Sequence, residues 1–249
     1  MTGFPFDLDA PETIRLGLIV LHVDETIESD FRRIFPGANV ALHVTRIPSG
    51  AEATPETLGR MEADLPRVTA LLPPAAQFAA VGYGCTSGTT MIGADRVTEL
   101  VNGACRTDAV CNPLSAARDA CRLLGIHRLG LVSPYRPDVA QPVCDALAGR
   151  GTNVTRAVHF GEAIEANVAR ISGNSVVAAA RQVARHGDVD GIFLSCTNLR
   201  TLDVIGPLER ELGLPVFGSN LALAWAMARA AGSHVLPTLD CRLMQAEPA

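Results

Sequence analysis

Two short segments carry the residues best suited to chemistry: Cys85-Thr86-Ser87-Gly88-Thr89-Thr90 and Ser195-Cys196-Thr197-Asn198. In each, a thiol directly follows an apolar run and heads a turn of hydroxyl and amide side chains. A passage from strand to turn to helix leaves backbone N–H groups unpaired. Together with hydroxyls, they bind anions, carboxylates above all, without a basic side chain. The same donors favour thiolate over thiol, so lowered cysteine pKa values are expected. Two such thiols across one pocket could add to a carbon centre, or take a proton from one face of a carbon and return it to the other. A lone strand-end cysteine is more often a small buried apolar residue; it is the pairing that points to function. Cys105, Cys111, Cys121, Cys144 and Cys241 lack this setting and read as structural. No Cys-x-x-Cys or His-rich spacing suggests a metal.

The pairing rests on an internal repeat. Arg15-Leu16-Gly17-Leu18-Ile19-Val20 recurs as Arg128-Leu129-Gly130-Leu131-Val132, 113 positions on. The two cysteine turns are 111 positions apart. Asn112 and a helix closed by Gly125 recur as Asn220 and a helix closed by Gly232, whose glycines are 107 apart. Three landmarks in one order at nearly constant spacing predict two homologous halves related by a pseudo-twofold axis.

The elements that must hold these turns alternate along the chain. Residues 16–21, 78–83, 129–132 and 191–194 read as buried strands; residues 57–72, 115–124, 175–186 and 221–231 read as helices. Alternation of this kind implies an α/β fold of parallel sheets with helices on both faces. The expected organisation is two pseudo-symmetric Rossmann-like lobes with the active site between them. The first comprises residues 14–113 with a returning C-terminal segment, 221–249; the second comprises 114–220. Ligands in open parallel sheets bind beyond the carboxyl ends of the strands, where Cys85 and Cys196 fall. Residues 1–13 read as a tail.

Composition narrows the chemistry. Hydrophobic residues make up 48% of the 249 and charged residues 19%, enough for a sizeable core. All 21 basic residues are arginine, so neither a pyridoxal Schiff base nor a Gly-x-x-x-x-Gly-Lys phosphate loop can form. The first strand runs into Val20-Leu21-His22-Val23-Asp24, without the glycine pattern a dinucleotide requires. The net charge of −5 and the absence of an arginine-rich block argue against a nucleic-acid partner, and no apolar run suggests a membrane span. Seven cysteines, an odd number, fit a reducing cytoplasm rather than a disulfide framework.

Cys85-Thr86-Ser87-Gly88 and Ser195-Cys196-Thr197-Asn198-Leu199-Arg200-Thr201 resemble the two active-site motifs of maleate cis-trans isomerases, in the aspartate/glutamate racemase superfamily. The resemblance runs from about Arg15 to Gly232. It implies a cofactor-independent isomerase of a small carboxylate, assembled as a homodimer or homotetramer. Cys85 would add to the alkene and Cys196 would deliver and recover the proton; in a racemase the pair would act on two faces of one carbon. Thr86, Ser87, Thr197 and Asn198 would bind substrate from the turns. The resemblance further implies that Tyr135 contacts substrate and that Asn167 binds a carboxylate. Arylmalonate decarboxylases resemble the chain too, through Leu202-Asp203-Val204-Ile205, but keep only the second cysteine. A non-catalytic small-molecule binder is the rival class, since two-lobed α/β proteins often hold ligands between lobes.

Asp24 departs from the isomerase pattern, which carries asparagine there. An amide can donate to a substrate carboxylate, whereas a carboxylate repels it. The Leu21-His22-Val23-Asp24-Glu25-Thr26 stretch resembles an ectoine-utilization branch of the superfamily, and a carboxylate there suits a substrate bearing an amine, amidine or amide. Asp24 is equally readable as the cap of an early helix whose first turn holds Glu28. His22 reads as structural.

Overall fold

The computed structural model describes residues 3–8, 13–37, 39–149, 151–232 and 239–246. Two four-stranded parallel sheets share one topology. The first comprises β1 (Ile14–Leu21), β2 (Val40–Ile47), β3 (Ala80–Gly84) and β4 (Val110–Cys111), in the order β2-β1-β3-β4. The second comprises β5 (Arg128–Ser133), β6 (Asn153–His159), β7 (Gly191–Leu194) and β8 (Val216–Gly218), in the order β6-β5-β7-β8. Every pairing is parallel. The repeat thus appears as the same strand order written twice, with β3 and β7 in the same inner position.

The helices are α1 (Ile27–Ile34), α2 (Pro55–Thr69), α3 (Thr86–Ile92), α4 (Ala94–Asn102), α5 (Pro113–Leu123), α6 (Pro137–Leu147), α7 (Glu165–Val168), α8 (Gly173–Ala184), α9 (Leu202–Leu212), α10 (Ser219–Ala230) and α11 (Arg242–Gln245). The expected helices at 57–72, 115–124, 175–186 and 221–231 each begin two residues earlier. Their starts are set by caps the apolar period does not show: Thr54, Asn112 and Ser172 each accept a backbone N–H three residues on, and proline opens α2 and α5.

Both inner strands are wholly buried, so their sequences are continuous apolar or glycine runs. Helix α10 lies against β3, β4 and α1 of the first sheet, and packs along α5. At Gly82 the approach is so close that a Cβ would stand 2.6 Å from Met227 Sδ. Helix α11 instead rests on β8, tied by Glu209, which accepts from the N–H groups of Val216 and Arg242. The expected returning segment 221–249 is therefore described over 221–232 and 239–246, its other residues lying outside the described ones.

The lobes are stitched along one seam. Ala53 N–H donates to Ala163 O and Glu165 N–H to Ala51 O, around a bridge between Glu52 and Ile164. Arg33 pairs with Asp203 at the rim. Arg170 pairs with Glu25, and further ties pass through the cysteine turns. Among the described residues, no helix is long and apolar enough to cross a membrane.

Candidate active site

Cys85 follows β3 and caps α3. Its Sγ accepts the Gly88 N–H at 3.1 Å and stands 3.7 Å from Ser87 Oγ. Residue 88 must be glycine for this approach, since a Cβ would lie 2.9 Å from the Cys85 sulfur and 2.6 Å from the Tyr83 hydroxyl. Cys196 follows β7, and its backbone has φ +122°, a region L-residues avoid. Such a conformation costs on the order of 1–3 kcal/mol and persists where neighbours over-determine it. Here Ser219 Oγ accepts the Cys196 N–H at 2.9 Å, while Asn220 Nδ2 donates to Thr197 O at 2.8 Å.

The two turns touch. Thr86 Oγ1 is hydrogen-bonded to Ser219 Oγ at 2.8 Å, so one serine joins both cysteine turns. Thr197 Oγ1 donates to Gly84 O at 3.2 Å, crossing from the second lobe to the residue before Cys85. Both cysteines are buried, at 4% and 6% exposure, and a charge on Cys85 acts on Cys196. Tyr135, at the end of β5, is buried with its hydroxyl 3.5 Å from Ser195 Oγ, within electrostatic reach of both thiols. The structure thus brings Cys85, Cys196, Thr86, Ser87, Tyr135, Thr197 and Asn198 to one seam between the lobes.

Asp24 joins them. Its Oδ1 accepts the N–H groups of Thr26 and Ile27, at 2.7 and 2.8 Å, at the entry to α1. Its charge acts on both cysteines. The helix-entry reading of this residue is therefore met, and its charge is close enough to bear on both thiols. Asn198 is committed: Oδ1 accepts Glu25 N–H at 2.9 Å, and Nδ2 donates to Glu165 at both O and Oε2. It serves as a bracket between the lobes rather than a free donor.

Asn167 lies outside this hydrogen-bonded cluster. It is exposed and its amide donates to Glu162 Oε2 at 3.1 Å. The inward side chain of this short helix is Glu165, 6% exposed, which the sequence reading missed. The signal was present: residues 165, 168 and 169 share one helical face, and Val168 and Ala169 are its apolar members, whereas 167 is off it. Ser219 and Asn220 were missed as well. His22 is exposed, its Nδ1 accepting from Ser49 N–H at 2.8 Å, away from the thiols.

Electrostatics supply a correction. Lowered thiol pKa values were expected. Instead, burial pushes the Cys85 thiol up to about 12, against a smaller opposing effect of the Gly88 N–H and Ser87. Cys196 is raised as well, by burial first and then by the Glu165 charge. The turn donors act as expected, but desolvation outweighs them and both neighbouring charges are negative. Burial also raises Asp24, and it lifts Glu165 to about 7 despite the hydrogen bond from Asn198. Among the described residues, no three of His, Cys, Asp or Glu are grouped to hold a metal ion.

Comparison with known proteins places this arrangement in context. A family model described as arylmalonate decarboxylase matches residues 80–244. The maleate isomerase of Nocardia farcinica (strain IFM 10152) is 28% identical over 249 residues, covering 94% of this chain and 97% of its own. The arylmalonate decarboxylase of Bordetella bronchiseptica is 34% identical over 128 residues, 51% of this chain and 53% of its own. Among solved structures, a cysteine-to-serine variant of Nocardia farcinica maleate cis-trans isomerase, holding a covalently bound succinylcysteine intermediate, superposes with a TM-score of 0.83. It is 24% identical, over 93% of this chain and 98% of that one.

Proposed function

Because the chain belongs to the arylmalonate decarboxylase family, we propose that it is a cofactor-independent isomerase of a small carboxylate, of the maleate cis-trans isomerase type, working through Cys85 and Cys196. One observation carries this reading. The two cysteines end equivalent strands of two equivalent sheets, and Ser219 links their turns directly. A likeness to maleate isomerase over nearly the whole chain supports it.

In the reaction, the Cys85 thiolate forms a C–S bond at one alkene carbon of maleate or a related acid. The π electrons pass to the adjacent carbon, which takes the Cys196 proton. The bond between the two carbons is now single and rotates. Cys196 then recovers the proton, the double bond re-forms and the Cys85 thiolate leaves. The Glu165 charge disfavours the Cys85 thiolate, and with its carboxyl raised to about 7 its protonation near neutrality relieves that opposition. Burial excludes water that would divert the adduct.

A racemase or epimerase is the second reading, favoured by the placement of two thiols in symmetric turns. Mass spectrometry of a Cys196→Ser variant given maleate distinguishes them: a succinyl adduct on Cys85 is expected. Exchange of a substrate α-hydrogen in heavy water without an adduct would favour racemisation. Full turnover in both Cys85→Ala and Cys196→Ala would sink the two-cysteine mechanism, and binding of small carboxylates without any turnover by the parent would leave the non-catalytic binder.

A further inference from the structure

Asp30 is a carboxylate on an apolar face. It shares the inward stripe of α1 with Ile27, Phe31 and Ile34, against α10, and is 5% exposed. Arg33, one turn on, acts on it only through space, because its guanidinium is bonded to Asp203 at the rim. Among the described residues, the one hydrogen-bond partner of its side chain is Asn220, whose Nδ2 donates to Asp30 Oδ2 at 2.8 Å. An uncharged residue would fill this place at less cost, since a buried carboxylate without a bonded cation recovers little of its lost hydration.

Asn220 carries the contact on to the second cysteine turn. It is 1% exposed, and the same Nδ2 donates to Thr197 O at 2.8 Å. Ser219, the residue before it, accepts the Cys196 N–H. Two successive residues of α10 thus hold the N–H of Cys196 and the carbonyl of Thr197, at either end of the turn in which Cys196 has φ +122°. Both acceptors lie on the nitrogen side of the Asn220 amide. Only one amide orientation suits an ionised Asp30, and Oδ1 is left buried with no donor among the described residues. A protonated Asp30 would change this. It gains an O–H, and the orphan Oδ1 becomes an acceptor for it, at the expense of the N–H that holds Thr197.

We propose that Asp30 is a positioning residue for Cys196: its carboxylate locks the Asn220 amide in the orientation that grips the Thr197 carbonyl, and this grip, with Ser219, keeps the Cys196 turn in its positive-φ form. Resting on the reading of Cys196 as proton donor, this adds to it a residue that touches no substrate and acts through one amide. Cys85, in the other turn, is held by Gly88 and Ser87 without Asp30 or Asn220. The charge on Asp30 is itself variable. Burial lifts its carboxyl to about 6 against the Asn220 hydrogen bond and Arg33, and Asp24 from the loop before α1 and Asp203 from α9 raise it further. The grip is therefore in place at pH 7.5 and released at pH 5.

The test is Asp30→Asn in the full chain, which keeps size and polarity, removes the buried charge and frees the amide orientation. Hydrogen exchange followed by mass spectrometry compares the peptide holding Cys196 and Thr197 with the one holding Cys85 and Thr86, corrected for intrinsic rates. At pH 7.5 the first should exchange about tenfold faster in the variant, and the second should stay within about twofold of the parent. Lowering the pH from 7.5 to 5 should produce the same selective loss in the parent and not in the variant. Equal protection of the Cys196 peptide in the two proteins at pH 7.5 overturns the proposal, as does loosening of both turns together, which would mark a structural acid. A pH step of the same size in both proteins also overturns it, since Glu165 and Asp24 would then be its source. With maleate, the kcat of the variant should fall about tenfold while its melting temperature is no lower than the parent's, so that activity and stability part company. Full turnover by the variant counts against Asp30. In an Asn220→Ala background, Asp30→Asn should lower neither protection nor kcat further, and a further loss there overturns the route through the amide. A parent that leaves maleate unchanged sinks the isomerase reading alone, since exchange needs no substrate and still decides the role of Asp30.

Discussion

Ser219 Oγ accepts the N–H of Cys196 at 2.9 Å, from the first residue of α10, and holds in place the one non-glycine residue with positive φ among those described. The same hydroxyl meets Thr86 Oγ1, so a serine fully buried at the lobe seam fixes both cysteine turns. Its loss leaves a buried N–H without an acceptor, a cost of about 1–3 kcal/mol. Ser219→Ala should lower the melting temperature by roughly 2–10 °C for a chain of this size. A melting temperature unchanged in calorimetry would show that the serine does not hold the turn.

The strain at Cys196 makes a prediction that separates backbone from thiol. At φ +122° glycine is at ease and alanine is not. Cys196→Gly should therefore be more stable than Cys196→Ala by about 1–2 kcal/mol, the penalty an L-residue bears for left-handed backbone, while both lack activity. Denaturant midpoints of the two variants measure the difference, and a glycine variant no more stable than the alanine one would count against strain at this position.

Much of this architecture could be read from the residues, and the omissions have physical causes. β1, β3, β5 and β7 are central strands buried on both faces, so they stand out as apolar runs. β2 and β6 lie at sheet edges; β6 is half exposed, and its Asn153-Val154-Thr155-Arg156 sequence carries no strong period. β4 and β8 span only two and three residues, too short for any pattern. The cysteine turns were legible because the repeat marks them twice. Glu165 and Ser219 have no such echo: each acts through contacts with segments distant in the chain, and such pairings at separations of 23 to 133 residues leave no local trace. The direction of the thiol shifts was misread for a related reason. Turn chemistry is written in adjacent residues, whereas desolvation depends on everything that closes over them.

Asn167 and Asn198 should respond very differently to alanine. Asn167 is exposed and bonded to one exposed glutamate, so Asn167→Ala should shift stability by less than about 0.5 kcal/mol. Asn198→Ala removes the bracket between the 24–26 loop and Glu165 and strands buried groups on both lobes. A loss of about 2 kcal/mol or more is expected, together with loss of activity. Equal denaturant midpoints for the two variants would contradict this assignment.

Glu165 gives the fold a pH dependence of calculable sign. Its carboxyl ionises near 4.5 when unfolded and at about 7 in the folded chain. Its contribution to stability is complete below about pH 4.5 and is lost as pH rises through 7. Glu165→Gln abolishes that loss, since an amide can keep the Asn198 hydrogen bond without carrying charge. At pH 8 the variant should exceed the parent by about 3 kcal/mol, the equivalent of the shift, and the two should converge near pH 4.5. Asp30 is raised in the same direction and is common to both proteins, whereas Asp24 is coupled to Glu165, so the difference between chemical denaturation curves reports residue 165 together with that coupling. Curves that run parallel across this range would mean that Glu165 is not ionising inside the seam.

Thiol reactivity should follow the same electrostatics. With Cys85 pushed up to about 12 and Cys196 also raised well above the ordinary thiol value, only the thiolate fraction reacts with iodoacetamide, and that fraction grows tenfold for each pH unit well below the pKa. In the absence of ligand, alkylation of both residues should climb without a plateau from pH 7 to pH 10. Glu165→Gln removes a negative neighbour that disfavours both thiolates, so alkylation should be faster in the variant at pH 9, where Glu165 is ionised in the parent. The gap should close near pH 5, where Glu165 is mostly protonated. A plateau near pH 8.5 at either cysteine would describe a thiol in water rather than one enclosed between two carboxylates, and would separate that residue from the cluster.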